Sequence, residues 1–277
     1  MKTNKMFAAI HYFALVLVAL IFIGPLIFLI SAVFKTNEQM FRFPIEWIPN
    51  PVKWTNFQEL FDLMPMWAFI RNSLVITVLS TIGTLFSCTL VAFAFARTKA
   101  RSRNFWFIVL LATLMIPSQV TQIPVFIIFR ELNWIDTPLP LIIPTFLGNA
   151  FYIFLIRQFF MTIPNELDEA TVIDGGSKWT ILIRIMIPLS IPALITVSIF
   201  TFVGSWTDFY SPLIYLSSLE QMTLSVGITF LQGQHATNVN VPLLATASLI
   251  SILPIAFIYT FSQKYFVEGV VLSGIKG

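Results

Sequence analysis

The chain has 277 residues, of which 57% are hydrophobic and only 10% are charged, and its mean hydropathy is +0.85. Soluble domains carry about 25% charged residues, so this composition excludes a soluble globular protein and indicates an integral membrane protein. The net charge of +3 comes without a basic block, which argues against nucleic-acid binding, and the single cysteine excludes a disulfide framework or a cysteine-ligated metal site.

Six long apolar stretches dominate the chain. Each reaches the roughly 20 residues that a helix needs to cross a bilayer, and they lack the strict alternation of barrel strands. Because hydrocarbon cannot hydrogen-bond the backbone, we expect these stretches to be helices. We predict an all-α integral membrane protein, one transmembrane domain over residues 1–277, with spans at about 6–34, 69–96, 105–129, 138–157, 186–216 and 242–264.

The turn between spans two and three predicts the orientation. Residues 97–103 read RTKARSR and carry four cations. Basic residues concentrate on the cytoplasmic side of a membrane protein. We therefore expect this turn, both chain termini and the soluble piece 157–184 to face the cytoplasm, and the pieces 35–68 and 217–241 to face outward.

Spans three and four carry polar side chains close to prolines. Gln119 and Gln122 lie between two prolines of span three, and Asn149 and Tyr152 follow Pro144 in span four. Prolines free backbone carbonyls, which neighbouring groups must satisfy. Two interpretations remain open: the four side chains line a polar path, or they hydrogen-bond between helices, which we favour.

Residues 165–176, NELDEATVIDGG, form an acidic, soluble-looking segment within the predicted cytoplasmic piece. Asn165 is suited to cap a helix whose positive end lies near Asp168, and the two glycines at 175–176 end it. Leu167, Ala170 and Thr171 are spaced to form one narrow face. The pattern fits either a helix lying on the membrane surface or a lever that transmits force from a soluble partner.

Span five contains an acidic residue. Asp208 is flanked by long apolar runs, with Trp206 and Tyr210 beside it. An ionisable group inside a span is costly and usually functional, and a carboxylate with aromatic rings suits a sugar, which offers hydroxyls and an apolar face. The alternatives are that Asp208 is solvated near the outer mouth or bound to a neighbouring helix, and that Tyr210 belongs to the interfacial aromatic belt.

The segment after residue 168 resembles a known signature. Glu169-Ala170-Thr171, then Gly175, then residues 185–188 (IMIP) resemble the EAA motif of binding-protein-dependent ABC importers, with matching spacing. Thr171 replaces the second alanine and Ile187 replaces leucine; both are mild changes of size.

The resemblance extends along nearly the whole chain. Residues 204–209 (GSWTDF) are similar to the span-five pattern of the carbohydrate branch, where asparagine often stands at the position of Asp208. Asn72 and Ser73 also fit, and residues 263–269 and 274–277 look like that branch's carboxyl-terminal signature. The chain thus resembles the six-helix permease of maltose-type sugar importers, and the resemblance implies the type I ABC importer permease fold.

The resemblance also implies a role for residues 164–178. They would form a coupling helix that docks on a cytoplasmic ATPase, with the tail 269–277 near the interface of two such ATPases. The implied coupling residues are Glu166, Leu167, Glu169, Ala170, Thr171, Asp174 and Gly175.

The implied partners and location follow from the same resemblance. The partners are a homologous second permease, two ATPase subunits, an extracytoplasmic solute-binding protein, a sugar and membrane lipid. The location is a bacterial plasma membrane, which the chain crosses several times. Since the chain lacks a glycine-rich Walker motif, we expect ATP and Mg²⁺ on the ATPases, no cofactor or metal on this chain, and no enzymatic activity.

The expected function is alternating access driven by the ATPases, for import of sugars or oligosaccharides. An ion-coupled carrier working without an ATPase is the alternative mechanism. A carrier would need several buried charges, whereas span five offers Asp208. A non-sugar solute such as a glycerol phosphate is the alternative substrate.

Overall fold

The computed structural model describes residues 5–234 and 240–274. Within them every regular element is helical, which confirms the predicted all-α fold. The α-helices are α1 (Lys5–Val33), α2 (Asn37–Met40), α3 (Asn56–Leu63), α4 (Met66–Arg97), α5 (Arg103–Ala112), α6 (Ser118–Glu131), α7 (Leu139–Ile142), α8 (Ala150–Phe160), α9 (Glu166–Ile173), α10 (Lys178–Ile181), α11 (Ile187–Leu189), α12 (Ile191–Thr207), α13 (Tyr210–Tyr215), α14 (Leu224–Gln234) and α15 (Val241–Gly274).

Four helical stretches are long and apolar enough to cross a membrane, and the number rises to six if each of two bent helix pairs counts as one span. The four are Ile10–Val33, Met66–Arg97, Leu139–Phe160 and Val241–Ser262. They correspond to predicted spans one, two, four and six.

Predicted spans three and five are broken helices rather than continuous ones. Arg103–Met115 and Gln119–Glu131 meet at 98°, and Lys178–Leu189 and Ile191–Thr207 meet at 77°. In the first pair, Ile116 is extended (φ −84°, ψ 115°) directly before Pro117. A proline disfavours the helical conformation of the preceding residue, which accounts for the break.

The chain is organised as two compact units. The first comprises Met1–Met66 and Gly227–Pro254. Its buried apolar core includes Ala32, Val33 and Ala245. The buried Asn56 side chain donates to the carbonyls of Val33 (2.7 Å) and Lys35 (2.9 Å), which fixes the start of α3 against the end of α1.

The second unit comprises Trp67–Val226 and Ile255–Gly277. Its core joins the C-terminal half of α4 and α8 to the segment after α9 and to α12. The buried core residues are Cys88, Ala92, Ile153, Ile156, Phe160, Ile163, Ile181, Leu182, Met186 and Val197. This core connects the segment that carries the EAA-like residues directly to the longer helices of the unit.

Close packing of α4 depends on Gly83. A Cβ at this position would lie 2.5 Å from Thr145 Oγ1 and 2.6 Å from the Phe146 ring. A side chain would therefore push α4 away from the 3₁₀ turn Ile143–Leu147.

Parts of the sequence predictions fall outside the described residues, namely 275–277 of the carboxyl-terminal signature and 235–239 of the predicted outer loop.

Candidate functional site

Helix α9 forms where the acidic segment predicted a helix, but it is shorter than residues 164–178. Asn165 occupies the N-cap position, yet its side chain makes no capping hydrogen bond, so the predicted side-chain cap is wrong. Instead, Asn165 Oδ1 accepts a hydrogen bond from Arg97 (2.6 Å). Glu166, Asp168 and Glu169 lie in the first turn, where the helix dipole favours negative charge.

The C-terminal end of α9 is a Schellman motif. The Gly176 N–H donates to Thr171 O (2.8 Å) and the Gly175 N–H donates to Val172 O (3.0 Å), which satisfies two terminal carbonyls. Gly175 has φ +77°, a conformation that side chains disfavour. A Cβ on Gly176 would lie 2.5 Å from Thr171 Cγ2 and 2.9 Å from its carbonyl oxygen. The two glycines are thus needed for different reasons.

One face of α9 is exposed and combines acidic with apolar groups. Glu166, Glu169, Ala170 and Ile173 follow helical spacing and are all exposed, with Ile173 85% accessible. Within the described part of the chain, the Glu169 carboxylate makes no ion pair. The predicted narrow face is split, because Leu167 and Ala170 are exposed while Thr171 is half-buried and bonds to Leu167 O (2.7 Å).

The opposite face of α9 is held by a clasp centred on Arg97, the last residue of α4. The Arg97 guanidinium donates to Asn165 Oδ1 and to Ile163 O (2.7 Å). Its Nε lies 2.9 Å from Asp168 Oδ2, an ion pair whose angle does not meet hydrogen-bond geometry. We call these four residues the Arg97 clasp.

The carboxylate of the Arg97 clasp is held in a partly desolvated place. Only 17% of the Asp168 side chain is exposed. Burial raises the pKa of Asp168; the charge of Arg97 opposes this shift, and the neighbouring Glu169 adds to it. Ionised Asp168 is therefore not a strong source of folding stability, despite its short ion pair.

A π-helical segment follows α10 and precedes the 77° bend. It spans Leu182–Met186 and includes part of the EAA-like signature. π-helical turns are rare and frequent at functional sites. Arg97 Nη2 lies 3.8 Å from Met186 Sδ, so the clasp also contacts this segment.

The second unit contains a cavity of about 530 Å³ whose lining combines apolar and polar side chains. Its walls come from α4, α6, the α7–α8 region, α12 and α13. The polar side chains that line it are Ser80, Thr84, Thr145, Asn149, Tyr152, Thr201, Ser205, Asp208, Ser211 and Tyr215. The Thr201 hydroxyl is buried and has no hydrogen-bond partner among the described residues.

Three of the seven predicted path residues line this cavity: Asn149, Tyr152 and Asp208. Asn149 also caps α8, since its Oδ1 accepts from the backbone N–H of Phe151 (3.0 Å) and Tyr152 (3.2 Å). Asp208 ends α12, and its Oδ1 accepts from the Ser211 N–H (3.2 Å). These contacts fix both side chains at the cavity wall.

The other four predicted path residues lie away from the cavity lining. Trp206 is 2% exposed and stacks on Phe202 in the protein interior. Tyr210 donates to Gln122 Oε1 (2.7 Å), which links α13 to α6. Gln119 is exposed on α6. For Gln122 the geometry corresponds to the interhelical hydrogen bond that we favoured from the sequence.

Sequence reasoning missed a polar seam along α4. Buried hydroxyl residues recur at intervals of four and three, and Ser80 and Thr84 of this seam line the cavity. The seam consists of Ser73, Thr77, Ser80, Thr84 and Ser87. Small polar residues at this period in an apolar stretch indicate a helix–helix contact in a membrane, so the signal was present. The Arg97 clasp had no such local signal.

The α4 residues Asn72 and Ser73, which fit the family pattern, contact the segment before α14. Asn72 Nδ2 donates to Glu220 O (2.7 Å) and Met222 O (3.1 Å). Ser73 Oγ accepts from the Leu224 N–H (2.8 Å). The two residues therefore fix the N-terminal end of α4.

Comparisons with known proteins identify the family of the chain. Residues 88–271 match the family described as binding-protein-dependent transport system inner membrane component. The arabinooligosaccharides transport system permease protein AraQ of Halalkalibacterium halodurans is 30% identical over 100% of this chain and 99% of its own. The sulfoquinovosyl glycerol transport system permease protein SmoH of Agrobacterium fabrum is 30% identical over 91% of this chain and 88% of its own.

A solved structure has the same fold. A chain of a bacterial ABC transporter involved in the import of the acidic polysaccharide alginate superposes with a TM-score of 0.84 at 23% identity, covering 96% of this chain and 98% of that one. The resemblance inferred from the EAA-like residues is confirmed. The chain belongs to the binding-protein-dependent transport system inner membrane components, the permeases of ABC importers.

Proposed function

We propose that the chain is one of two permease subunits in an ATP-driven importer of sugars or oligosaccharides. Its partners are a homologous permease, two ATPase subunits and an extracytoplasmic binding protein. The observation that carries the proposal is that α9 is anchored to the end of α4 by Arg97 and leaves its other face exposed. This helix offers a partner the exposed Ile173 and the Glu169 carboxylate, which forms no ion pair with the described residues.

The proposed topology has six spans, each bent helix pair counting as one. The basic turn 97–103 and α9 lie on the same side, because Arg97 at the start of that turn contacts Asn165 and Asp168. Basic turns face the cytoplasm, which supports a cytoplasmic α9 and cytoplasmic termini. The predicted coupling residues then face the compartment that contains ATP. They are Glu166, Leu167, Glu169, Ala170, Thr171, Asp174 and Gly175.

The cavity supports a polyhydroxylated substrate. Its volume of about 530 Å³ lies within the usual range of about 300–1,000 Å³ for ligand sites. Asp208 and the ring of Tyr152 match the hydroxyls and the apolar face of a sugar. None of its described lining residues is basic, which disfavours a phosphorylated solute.

The names of relatives point to the same substrate class. AraQ is named for arabinooligosaccharides, and another relative, YtcP of Bacillus subtilis, for polygalacturonan and rhamnogalacturonan. A second solved alginate transporter, with a TM-score of 0.67, is described in complex with a periplasmic protein that carries an alginate pentasaccharide. An extracytoplasmic binding protein that delivers an oligosaccharide fits this chain's family.

In the proposed mechanism, closure of the ATPases moves α9, and the π-helical segment and the 77° bend pass this movement to α12, which lines the cavity. Hydrolysis of ATP resets the inward-facing state. Because the sequence has no Walker motif, the free energy comes from the partner.

The test is Glu169→Lys in the assembled importer, with Glu131→Lys as the matched control. Glu131 is an exposed acid at the end of α6, and its side chain is 69% accessible. We expect Glu169→Lys to abolish uptake while membrane insertion is retained, and Glu131→Lys to transport normally. Uptake by the Glu169→Lys variant at the normal rate, or uptake by the chain alone in ATP-free vesicles, would overturn the proposal.

A further inference from the structure

Arg97 connects parts of the second unit that the sequence separates widely. Its guanidinium contacts the α8–α9 linker through Ile163 and Asn165, α9 through Asp168, and the π-helical segment through Met186. The side chain is 10% exposed, so these contacts replace water almost completely. A single side chain therefore fixes the end of α4 relative to the residues just before the EAA-like signature and to Met186 near the end of that signature.

The contacts require the shape of arginine. Nη1 points to Asn165 Oδ1 at 2.6 Å and Nη2 to Ile163 O at 2.7 Å, while Nε lies 2.9 Å from Asp168 Oδ2. A planar guanidinium offers donors in several fixed directions, whereas a lysine ammonium is a compact point charge on a flexible stem. Lysine at this position retains the charge and loses the simultaneous contacts.

Helix α4 continues from Arg97 to the cavity. Ser80 and Thr84 line the cavity and lie on the same uninterrupted helix. At 1.5 Å per residue, they lie roughly 20–25 Å from Arg97 along the helix axis. A displacement at the Arg97 end of a continuous helix therefore reaches the cavity wall as a movement of the whole helix.

Stability alone does not account for the Arg97 clasp. A buried ion pair often stabilises a fold no better than apolar residues of the same size. The burial that raises the pKa of Asp168 agrees with this general result. An apolar pair would not reproduce the directed contacts of Arg97, which hold α4, α9 and the π-helical segment in fixed positions relative to one another.

We propose that Arg97 is a positioning residue that makes α4 and α9 move together, so that displacement of α9 by a partner shifts the α4 wall of the cavity. This route runs along α4, whereas the route described above runs through the π-helical segment to α12; the two meet where Arg97 contacts Met186. The inference rests on the proposed function, because it requires that a partner displaces α9.

The experiment measures solute imported per ATP hydrolysed by the complete importer in proteoliposomes. The variants are Arg97→Lys, Arg97→Gln and Asp168→Asn. Arg101→Gln is the matched control, because Arg101 lies exposed in the same turn. We expect Arg97→Gln to lower import per ATP by about fivefold or more, the lower end of typical coupling between sites. Arg97→Lys should recover only part of this loss, and Asp168→Asn should lose less than Arg97→Gln.

A double variant distinguishes positioning from independent effects. Arg97→Gln combined with Asp168→Asn should lose no more import per ATP than Arg97→Gln alone, because the ion pair is already absent. Additive losses, or unchanged import per ATP in Arg97→Gln, would overturn the inference. So would a parallel loss of assembled complex in all Arg97 and Asp168 variants, since that pattern indicates a role in folding alone.

The two proposals fail separately. If Glu169→Lys transports normally, the proposed function is wrong, and the inference falls with it. If Glu169→Lys blocks transport while Arg97→Gln keeps full import per ATP, the coupling role of α9 stands and only the link through Arg97 is wrong.

Discussion

Asp168 and Asp136 each hold a segment that packs against one end of α4, and they do so by different chemistry. Asp168 pairs with Arg97 at the C-terminal end of α4. Asp136 accepts hydrogen bonds from residues 217–218. The chain then continues to Glu220 and Met222, whose carbonyls accept hydrogen bonds from Asn72 near the N-terminal end of α4. The first contact is an ion pair, and the second consists of hydrogen bonds from neutral groups.

The contacts of Asp136 are multiple and local. Its Oδ1 accepts from the N–H groups of Ser217 (2.9 Å) and Ser218 (2.8 Å), and its Oδ2 accepts from the Ser218 hydroxyl. Its own N–H donates to Tyr215 O (2.8 Å). We call these four residues the Asp136 clasp.

The two carboxylates have opposite pKa shifts. Hydrogen bonds from Ser218 and Ser217 lower the pKa of Asp136, whereas burial raises the pKa of Asp168 despite Arg97. Donors that approach without displacing all the water favour the charged form, while burial penalises it. The Asp136 clasp therefore stabilises the fold, and the Arg97 clasp mainly determines where α9 lies.

The largest expected stability effect follows from removing the Asp136 carboxylate. Asp136→Ala leaves two backbone N–H groups and the Ser218 hydroxyl without their acceptor. We expect the free energy of unfolding to fall by about 1–3 kcal/mol, which thermal unfolding in detergent would measure.

The control for that prediction is Glu131→Ala. Glu131 is exposed and its carboxylate pairs with the adjacent, exposed Arg130. Surface ion pairs of this kind contribute little, so we expect a change within about 0.5 kcal/mol. Equal changes in the two variants would show that the Asp136 clasp contributes no more than a surface acid, and the contrast between the two clasps would disappear.

The sequence correctly predicted the features that depend on local residue patterns. Apolar length predicted helices at the positions of α1, α4 and α15, and the acidic segment with two glycines predicted α9 and its end. These features depend on residues within a few turns of each other. The 98° break was less accessible, because Pro117 is compatible with either a kinked span or two separate helices.

Contacts between residues that are distant in the chain could not be predicted from local sequence patterns. The turn 97–103 predicted orientation through its charge, yet nothing in it distinguished Arg97 from Arg101 as the partner of Asp168. In span five, the same motif supplied both Asp208, which lines the cavity, and Trp206, which packs in the interior. The sequence motif does not show which side of the helix packs against other elements, because those elements are far away in the chain.

An intermediate effect is expected at the end of α9. Gly175 has φ +77° and nothing within 4 Å of a Cβ, so Gly175→Ala tests backbone conformation without a clash. We expect a loss of about 1 kcal/mol in unfolding free energy. Because the turn after α9 would also shift, import per ATP should fall together with stability, as measured in the reconstituted importer.

Gly24→Ala is the control for the glycine substitution. Gly24 lies inside α1 and also has nothing within 4 Å of a Cβ, but its φ lies outside the positive range. Alanine favours a helix over glycine, so we expect no loss of stability. A loss in both variants would attribute the effect to the added methyl group rather than to the positive φ of Gly175.

The smallest and most specific effect is a difference in pH dependence between the two clasps. Asp136, with its lowered pKa, contributes stability that is complete above the ordinary value of 3.8 and is lost as pH falls through the lower folded value. Asp168, with its raised pKa, behaves in the opposite way: its contribution is complete below 3.8 and is lost as pH rises through the folded value. The charged groups that act on Asp168 are Arg97 and Glu169.

Neutral variants turn this difference into a measurement. From about pH 3 to pH 7, Asp136→Asn should become progressively less stable relative to the unmodified protein, because the carboxylate that it lacks becomes useful on ionisation. Over the same range Asp168→Asn should become relatively more stable, because it avoids the cost of a buried charge. Unfolding temperatures of both variants and the unmodified protein, taken at each pH in detergent, measure the two trends. Trends of the same sign would mean that the Arg97 ion pair outweighs burial, and that both aspartates stabilise the fold in the same way.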